Sequence, residues 1–194
     1  MVEFPQEVSI NDSQQLEDLE LVRRSQSGDT KAFDQLVTKY RAKVFTMVHG
    51  MVRNEHDASD LAQEAFLKAW RSIHQFEGRS SFCTWLYRLT MNVTIDLLRR
   101  KRQREEVELI ESIASSLPSP RAKFRRTEIQ EKVELALAKL SPEHRAVVVL
   151  KELEGLQYRE IGEVLNLPVG TVMSRFFYAR KQLQLLLRSV YNQI

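Results

Sequence analysis

Aromatic and cationic side chains alternate between residues 76 and 102 of the chain. Rings of this kind stack on unpaired bases, at about 1 to 3 kcal/mol per base, while cations hold the phosphates. The pattern predicts a platform for single-stranded nucleic acid. Two other interpretations stay open, since Trp85 can pack in a core with Leu89 and the final cations can pair with a helix C-terminal dipole. The side chains concerned are Phe76, Arg79, Phe82, Trp85, Tyr87, Arg88, Arg99, Arg100, Lys101 and Arg102.

Three acidic residues share one helical face, because Asp57, Asp60 and Glu64 lie at positions i, i+3 and i+7. Clustered carboxylates could hold a metal for a nucleic-acid hydrolase, but no histidine or loop completes such a site on this face. A solvated acidic face and a docking face for a partner are the other interpretations, and the spacing alone leaves both open. The sequence also shows no nucleophile–base pair and no phosphate-cradling glycine loop, so we expect neither catalysis nor a metal or cofactor.

A sharp turn between two short helices is predicted near the C-terminus. Apolar residues keep helical spacing as far as Leu165, and Pro168 and Gly170 then break the pattern. Gly162, inside the first helix, predicts a close approach of the second helix, which we expect to begin at Thr171. This is helix-turn-helix geometry, whose second helix can enter a DNA major groove, although an ordinary helical hairpin is the alternative. The apolar stripe of the second helix is Val172, Phe176, Ala179 and Leu183.

The outward face of that second helix carries hydroxyls and cations. Such groups suit contacts with phosphates and base edges, which favours a DNA-binding module over a plain hairpin. The outward side chains are Thr171, Ser174, Arg175, Tyr178, Arg180 and Lys181.

Charge is distributed unevenly over the 194 residues, although the net charge is only +3. Residues 1–22 hold six acidic and no basic residues, whereas residues 86–104 hold six basic residues and one acidic residue. A local basic patch of this kind attracts nucleic acid. Cys83 is the single cysteine, which fits a reducing compartment. Because no signal peptide and no apolar run of about 18 residues is seen, we expect a cytoplasmic protein without membrane insertion.

Helical periodicity runs through nearly all of the chain, with no convincing strand. We predict an all-α fold of two small helical domains joined by a flexible linker, the second domain containing the helix-turn-helix. Gly28 should end the first helix, while Asp29 and Ser141 should cap later ones. The predicted units are an acidic N-terminal extension (1–13), a first domain (14–102), a linker (103–127) and a second domain (128–194).

Three stretches of the chain carry a family resemblance. They read DASDLAQEAFLKAWRSIHQF, GRSSFCTWLYRLTMNVTIDLLRRKR and LPVGTVMSRFFYARKQL. Together they resemble the extracytoplasmic function (ECF) group of bacterial RNA polymerase sigma factors, over nearly everything except the N-terminal extension and the linker. The resemblance implies a dissociable subunit that directs core RNA polymerase to promoters and melts them, in a stress or envelope response. It also implies an anti-sigma factor as a partner. A free-standing helix-turn-helix regulator is the alternative, but it leaves residues 57–102 unexplained.

The resemblance assigns expected roles to particular residues. Docking on core polymerase is expected at Asp57, Asp60, Leu61, Gln63, Glu64 and Phe66. Capture of the melted −10 element is expected at Phe76, Arg79, Phe82, Trp85, Arg88, Asn92, Arg99 and Arg100. Recognition of the −35 element is expected at Thr171, Met173, Ser174, Arg175, Tyr178, Arg180 and Lys181. Relatives often carry a cation at the positions of Met173 and Tyr178, so Arg175 is expected to supply the main cationic contact here.

Overall fold

The structure, a computed structural model, describes residues 10–111 and 128–188, with side chains over residues 14–104 and 131–188. These ranges are helical and contain no strand, which confirms the all-α class. The N-terminal domain comprises helices α1 (Ile10–Gln26), α2 (Thr30–Val52), α3 (Glu55–Ser72) and α4 (Phe82–Glu111), with a 3₁₀ turn at Ile73–Gln75. The C-terminal domain comprises α5 (Glu128–Ala138), α6 (Pro142–Glu152), α7 (Tyr158–Leu165) and α8 (Val169–Leu186).

Local capping signals set several of these boundaries. The Asp29 carboxylate accepts a hydrogen bond from the Ala32 amide, and the Ser141 hydroxyl accepts one from the His144 amide, as predicted. Helix α8 begins at Val169 instead of Thr171, because the φ of −59° at Pro168 suits a helix entry. Helix α4 also continues past its predicted end near residue 102. The rest of the predicted linker, residues 112–127, lies outside the described residues, as do residues 1–9 and 189–194.

The N-terminal domain is built around one apolar core. Leu36, Val44 and Val48 of α2 are fully buried, and they pack with Leu61 of α3 and Leu86 of α4. Their spacing places one stripe of each helix inside the bundle. Helices α3 and α4, which carry the acidic and the cationic residues, are therefore packed in the same bundle.

The C-terminal domain shares a second core with the N-terminal domain. All residues from Ala146 to Leu150 in α6 are buried. One side of α6 faces α8, and the other faces α2 and α4. A helical segment whose residues are apolar on every side lies inside a core, and in α6 this holds for residues 146–150. The two domains are therefore in direct contact, which the sequence interpretation had not predicted. The N-terminal domain contributes Met47, Met51, Tyr87 and Met91 to this shared core.

Candidate nucleic-acid interface

The predicted docking face on α3 is largely open to solvent. Asn54 caps the helix by accepting a hydrogen bond from the Asp57 amide at 2.9 Å. Asp60 is exposed and lies 3.0 Å from the His56 ring, while Gln63 and Glu64 are also exposed. The structure thus brings an acidic strip to the surface, with Asp57 half-buried at its start.

Leu61 does not belong to this open strip. Its side chain is only 3% exposed and packs in the core of the N-terminal domain. A direct contact between Leu61 and a partner therefore does not fit the structure. The residue packs α3 against the core of the N-terminal domain.

An apolar groove of about 500 Å³ runs beside the acidic strip, between α2 and α3. The Phe33 and Trp70 rings lie in it with centroids 5.0 Å apart. Leu67, more than half exposed, also lines it, and Phe66 and Gln63 connect it to the strip. Grooves with an apolar floor and a charged rim bind amphipathic helices. Sequence reasoning found Phe66 but missed the other apolar residues, whose i, i+3 spacing on α3 (Leu67, Trp70) was the available signal.

The aromatic residues of the loop region form a packed cluster. Phe76 and Phe82 are buried, and their ring centroids lie 5.4 and 5.7 Å from that of Trp85. Phe76 and Phe82 therefore cannot stack on bases in this arrangement, which corrects their predicted role as direct contacts. They form the floor of the loop. Trp85 is half-buried, so it packs on this floor while keeping part of its surface open.

Gln26, at the end of α1, fixes the entry to this loop. Its side-chain amide donates to the carbonyl oxygens of Ile73 and Phe76, at 2.9 and 3.0 Å. The Ile73 carbonyl also accepts the Phe76 amide at 3.1 Å, so the Gln26 side chain adds a second donor there and ties the end of α1 to both carbonyls. Sequence reasoning missed Gln26, because its partners lie far away along the chain and nothing in the local pattern marks it.

The predicted polar −10 residues divide into two sets. Arg79, Asn92 and Arg100 are exposed, and Arg79 pairs with Glu77 at 2.6 Å. Two others, Arg88 and Arg99, contact the C-terminal domain.

Arg88 and Arg99 both contact the C-terminal domain. The Arg88 guanidinium donates two hydrogen bonds, at 2.6 and 3.0 Å, to the backbone carbonyl of Glu163 in α7. The Arg99 guanidinium lies 2.7 Å from the Glu143 carboxylate at the start of α6. The cationic face of α4 is thus partly covered.

Buried polar groups tie the two domains together around this face. The Tyr87 hydroxyl donates to the Glu154 carboxylate at 2.8 Å, and burial raises the pKa of Tyr87 well above its ordinary value. The Arg145 guanidinium of α6 donates to the Met51 carbonyl of α2. Cys83 packs against both cores, and its burial raises the pKa of the thiol to about 11.

The corner between α7 and α8 is as tight as predicted. Asn166 ends α7 in the left-handed region, with φ of 52°. A β carbon built on Gly162 would lie 2.8 Å from the Leu167 carbonyl oxygen and 3.9 Å from Val172 of α8. Gly162 is thus closely approached as predicted, but by the backbone of the turn and not by the second helix, whose side chains lie at ordinary contact distance.

The outward face of α8 combines apolar and cationic side chains. Ser174, Arg180 and Lys181 are exposed, whereas Thr171 and Arg175 are half-buried. Met173 and Tyr178 are more than half exposed. Phe177, at 62% exposure, also belongs to this face and was missed by sequence reasoning, although its i+4 spacing from Met173 indicated it. The predicted inward stripe of α8 is confirmed: Val172, Phe176 and Ala179 are buried, and Leu183 is half-buried against the same core.

The described residues offer neither a metal-binding cluster nor a membrane-spanning helix. Within residues 10–111 and 128–188, no group of three or more His, Cys, Asp or Glu side chains could hold a metal ion. None of the helices described has the length and apolarity needed to cross a membrane.

Comparison with known proteins places this geometry in a family. The family description "Sigma-70 region 2" matches residues 36–104, and "Sigma-70, region 4" matches residues 130–183. The fold and its surfaces thus define a bacterial transcription initiation subunit of the sigma-70 type. More particularly, the chain belongs to the ECF group of RNA polymerase sigma factors.

Relatives of known name resemble nearly the whole chain. The RNA polymerase sigma-H factor of Pseudomonas aeruginosa is 39% identical over 188 residues, covering 90% of this chain and 97% of its own. The ECF RNA polymerase sigma-E factor of Escherichia coli is 37% identical, covering 87% and 93%. The ECF RNA polymerase sigma factor SigW of Bacillus subtilis is 34% identical, covering 87% and 96%.

Two solved structures resemble the fold. CnrH, in complex with the cytosolic domain of CnrY, matches with a TM-score of 0.66 and 28% identity, covering 89% of this chain and 98% of its own. The sigma factor RpoE of Bartonella quintana, in complex with the anti-sigma factor NepR, matches with a TM-score of 0.63 and 26% identity, covering 81% and 98%.

Proposed function

We propose that this ECF sigma factor starts transcription through three surfaces, one for core RNA polymerase and two for promoter DNA. The observation that carries the proposal is the presence, in one chain, of an acid-rimmed groove, a cationic loop and helix, and a helix-turn-helix. A free-standing regulator needs only the last of these. Membership of the sigma factor family supports the same conclusion.

Core polymerase docks on the acidic strip of α3 and on the groove beside it. Asp57, Asp60, Gln63 and Glu64 supply polar contacts, and Phe66 leads into the apolar floor. A polymerase helix with one apolar and one cationic face fits this surface, because both of its faces then find complementary partners.

The loop after α3 and the exposed face of α4 capture the melted −10 element. Trp85 offers a partly open ring, and Arg79, Asn92 and Arg100 offer exposed polar groups for bases and phosphates. Arg88 and Arg99 extend the cationic track along α4 once they are released from the C-terminal domain.

Helix α8 reads the −35 element from the major groove. Arg175 makes the main base contact, and Thr171 and Ser174 add backbone or base contacts. Met173 and Tyr178 cannot make the bidentate guanine contact that arginine makes, so they contribute apolar contacts. Arg180 and Lys181 hold phosphates.

Energetics explain why the chain needs polymerase. Opening DNA loses about 1.4 kcal/mol of stacking per step, so a bubble of roughly ten pairs costs on the order of 10 kcal/mol. Stacking one or two bases on the loop recovers about 1 to 3 kcal/mol each. The protein therefore works as an adaptor in the cytoplasm and catalyses no reaction of its own.

An anti-sigma factor restrains the protein until a stress signal releases it. The two solved relatives were each captured with such a partner or with the cytosolic domain of another protein. An inhibitor of this kind would compete with polymerase for the groove on α3.

Transcription with purified components tests the proposal. Core polymerase from the source bacterium is mixed with its genomic DNA, with and without the chain, and transcript 5′ ends are mapped. New start sites that share two spaced elements are expected only when the chain is present. An unchanged transcript map, with duplex binding by the chain alone, would favour the free-standing regulator.

A further inference from the structure

The −10 loop, which we define as residues 77–81, lies between Phe76 and the start of α4 at Phe82. Residues 77–79 are exposed. The regular hydrogen bonds of a helix do not hold a segment of this kind, so its shape depends on how its two ends are held.

The first end of the −10 loop is held by the end of α1. The Gln26 side-chain amide donates to the carbonyl oxygens of Ile73 and Phe76, at 2.9 and 3.0 Å. Phe76 directly precedes the loop, and its side chain is buried. One side chain of α1 therefore fixes both the turn before the loop and the residue from which the loop starts.

The second end is held by α1 through α2. Phe82 directly follows the loop and is only 2% exposed, and its ring centroid lies 5.6 Å from that of Tyr40 in α2. The Tyr40 hydroxyl donates to the buried Asp18 carboxylate of α1, and Lys39 pairs with the same carboxylate at 2.6 Å. Burial raises the pKa of Tyr40 well above its ordinary value, so the hydroxyl keeps the proton that it donates. Phe82 therefore rests on a ring that is tied to α1 by a charge-assisted hydrogen bond.

The two anchoring residues are polar although they face inward. Asp18 and Gln26 share the inward side of α1 with Val22, which packs in the core. Burying a carboxylate or an amide costs free energy unless partners satisfy it. A helix that only stabilised the bundle needs neither residue, because apolar side chains of similar volume would serve as well or better. Each polar residue instead fixes a partner beside one end of the −10 loop.

We infer that α1 positions the −10 loop by holding both of its ends, with Gln26 and Asp18 as the positioning residues. The inference rests on the proposed role of this loop in capturing the melted −10 element. The same anchors bear on the base-stacking ring, because the ring centroids of Phe76 and Phe82 lie 5.4 and 5.7 Å from that of Trp85. Loss of either anchor should let the loop adopt other shapes while the docking face of α3 stays intact.

Two nearly isosteric variants release the two ends separately. Gln26→Met keeps the length of the side chain and removes both donors. Tyr40→Phe keeps the ring against Phe82 and removes the hydroxyl that binds Asp18. Val22→Ala is the matched control, because it removes two buried methyl groups from α1 and touches neither anchor.

Limited trypsin digestion of the full chain, followed by mass spectrometry, measures the opening of the loop without polymerase or DNA. Arg79 is a cleavage site inside the loop, and Lys68 in α3 is a reference site for unfolding of the whole domain. Cleavage of a locally opened segment follows the population of its open form.

The measured quantity is the ratio of cleavage after Arg79 to cleavage after Lys68. It should rise about fivefold or more in Gln26→Met and in Tyr40→Phe, which is the effect of losing about one hydrogen bond. It should stay at the natural value in Val22→Ala. An unchanged ratio in both anchor variants, or an equal rise in Val22→Ala, would overturn the inference.

Promoter opening separates this inference from the proposed function. With core polymerase, the rate of opening is compared between one promoter and versions of it that differ at single −10 positions. The two anchor variants should discriminate less between these promoters, whereas Val22→Ala should discriminate as the natural chain does. If the trypsin ratio rises while discrimination is unaltered, the −10 role of the loop fails and positioning by α1 stands. If discrimination falls while the trypsin ratio is unchanged, the anchors act by another route and the inference fails.

Discussion

Replacing Arg145 with alanine should loosen the C-terminal domain and its contact with the N-terminal domain at once. The side chain is only 7% exposed, and burial lowers the pKa of its guanidinium from the ordinary value. Its nitrogens donate to the carbonyls of Leu137 and Ala138 at 2.8 Å and of Leu140 at 3.3 Å, and also to that of Met51 in α2. One residue thus satisfies the end of α5 and reaches across the domain contact.

The magnitude follows from these contacts. Hydrogen bonds to a charged group contribute about 1.5–3 kcal/mol, and each buried acceptor left without a donor costs about 1–3 kcal/mol. Because the carbonyls can relax toward water in part, we expect Arg145→Ala to lower the free energy of unfolding by about 3–5 kcal/mol. A loss of this size lowers the melting temperature by about 10 °C in a chain of this length.

Thermal and urea unfolding, followed by far-UV circular dichroism, measures the effect. Arg145→Lys is the matched control, since an ammonium keeps the charge but cannot reach several divergent carbonyls. We expect it to fall between alanine and the natural residue. A change of less than about 0.5 kcal/mol for Arg145→Ala, the usual range for surface substitutions, would refute the reasoning.

Three further predictions concern the proposed surfaces. Asp60→Lys or Glu64→Lys should weaken binding to core polymerase by a few kcal/mol, because a cationic partner would meet a like charge, with helicity unchanged; unaltered affinity in a pull-down titration would move the docking surface elsewhere. Arg175→Ala should cost about 1–3 kcal/mol and relax one −35 position, whereas Lys181→Ala should weaken all sequences alike and reduce the salt slope. Equal losses on every promoter would make Arg175 a phosphate contact only. Gln26→Glu removes both amide donors at constant shape, so the entry to the −10 loop is no longer fixed. RNA polymerase containing this variant should discriminate less between promoters with altered −10 elements, while the variant keeps its affinity for core polymerase. A uniform loss across those variants would leave Gln26 a purely structural role.

Local patterns in the sequence predicted the helices and their caps well. Aspartate and serine side chains accept hydrogen bonds from the backbone amides of the helical turn that follows them. The capping roles of Asp29 and Ser141 therefore need no tertiary information. The inward stripe of α8 follows in the same way from helical periodicity. The glycine inside α7 predicted a close approach because few other reasons explain a glycine there.

Tertiary contacts were harder to predict from the sequence than the helices. The run from Ala146 to Leu150 shows no polar face, which indicated burial on all sides, but not which element covers it. Phe76 and Phe82 have the residue type of a base-stacking platform, and only packing reveals that they form its floor. The Arg88 contact goes to a backbone carbonyl, which every residue possesses, so no sequence pattern identifies the acceptor.

Permanganate footprinting of a promoter tests the central claim most directly, because the reagent oxidises thymines that have left the stack. A promoter found by the transcription mapping is incubated with core polymerase, with the chain, or with both. The account predicts reactive thymines across the −10 element only when both proteins are present, and fewer of them with the Asp60→Lys variant. Thymines that stay unreactive with both proteins, while the chain alone protects the duplex, would contradict it.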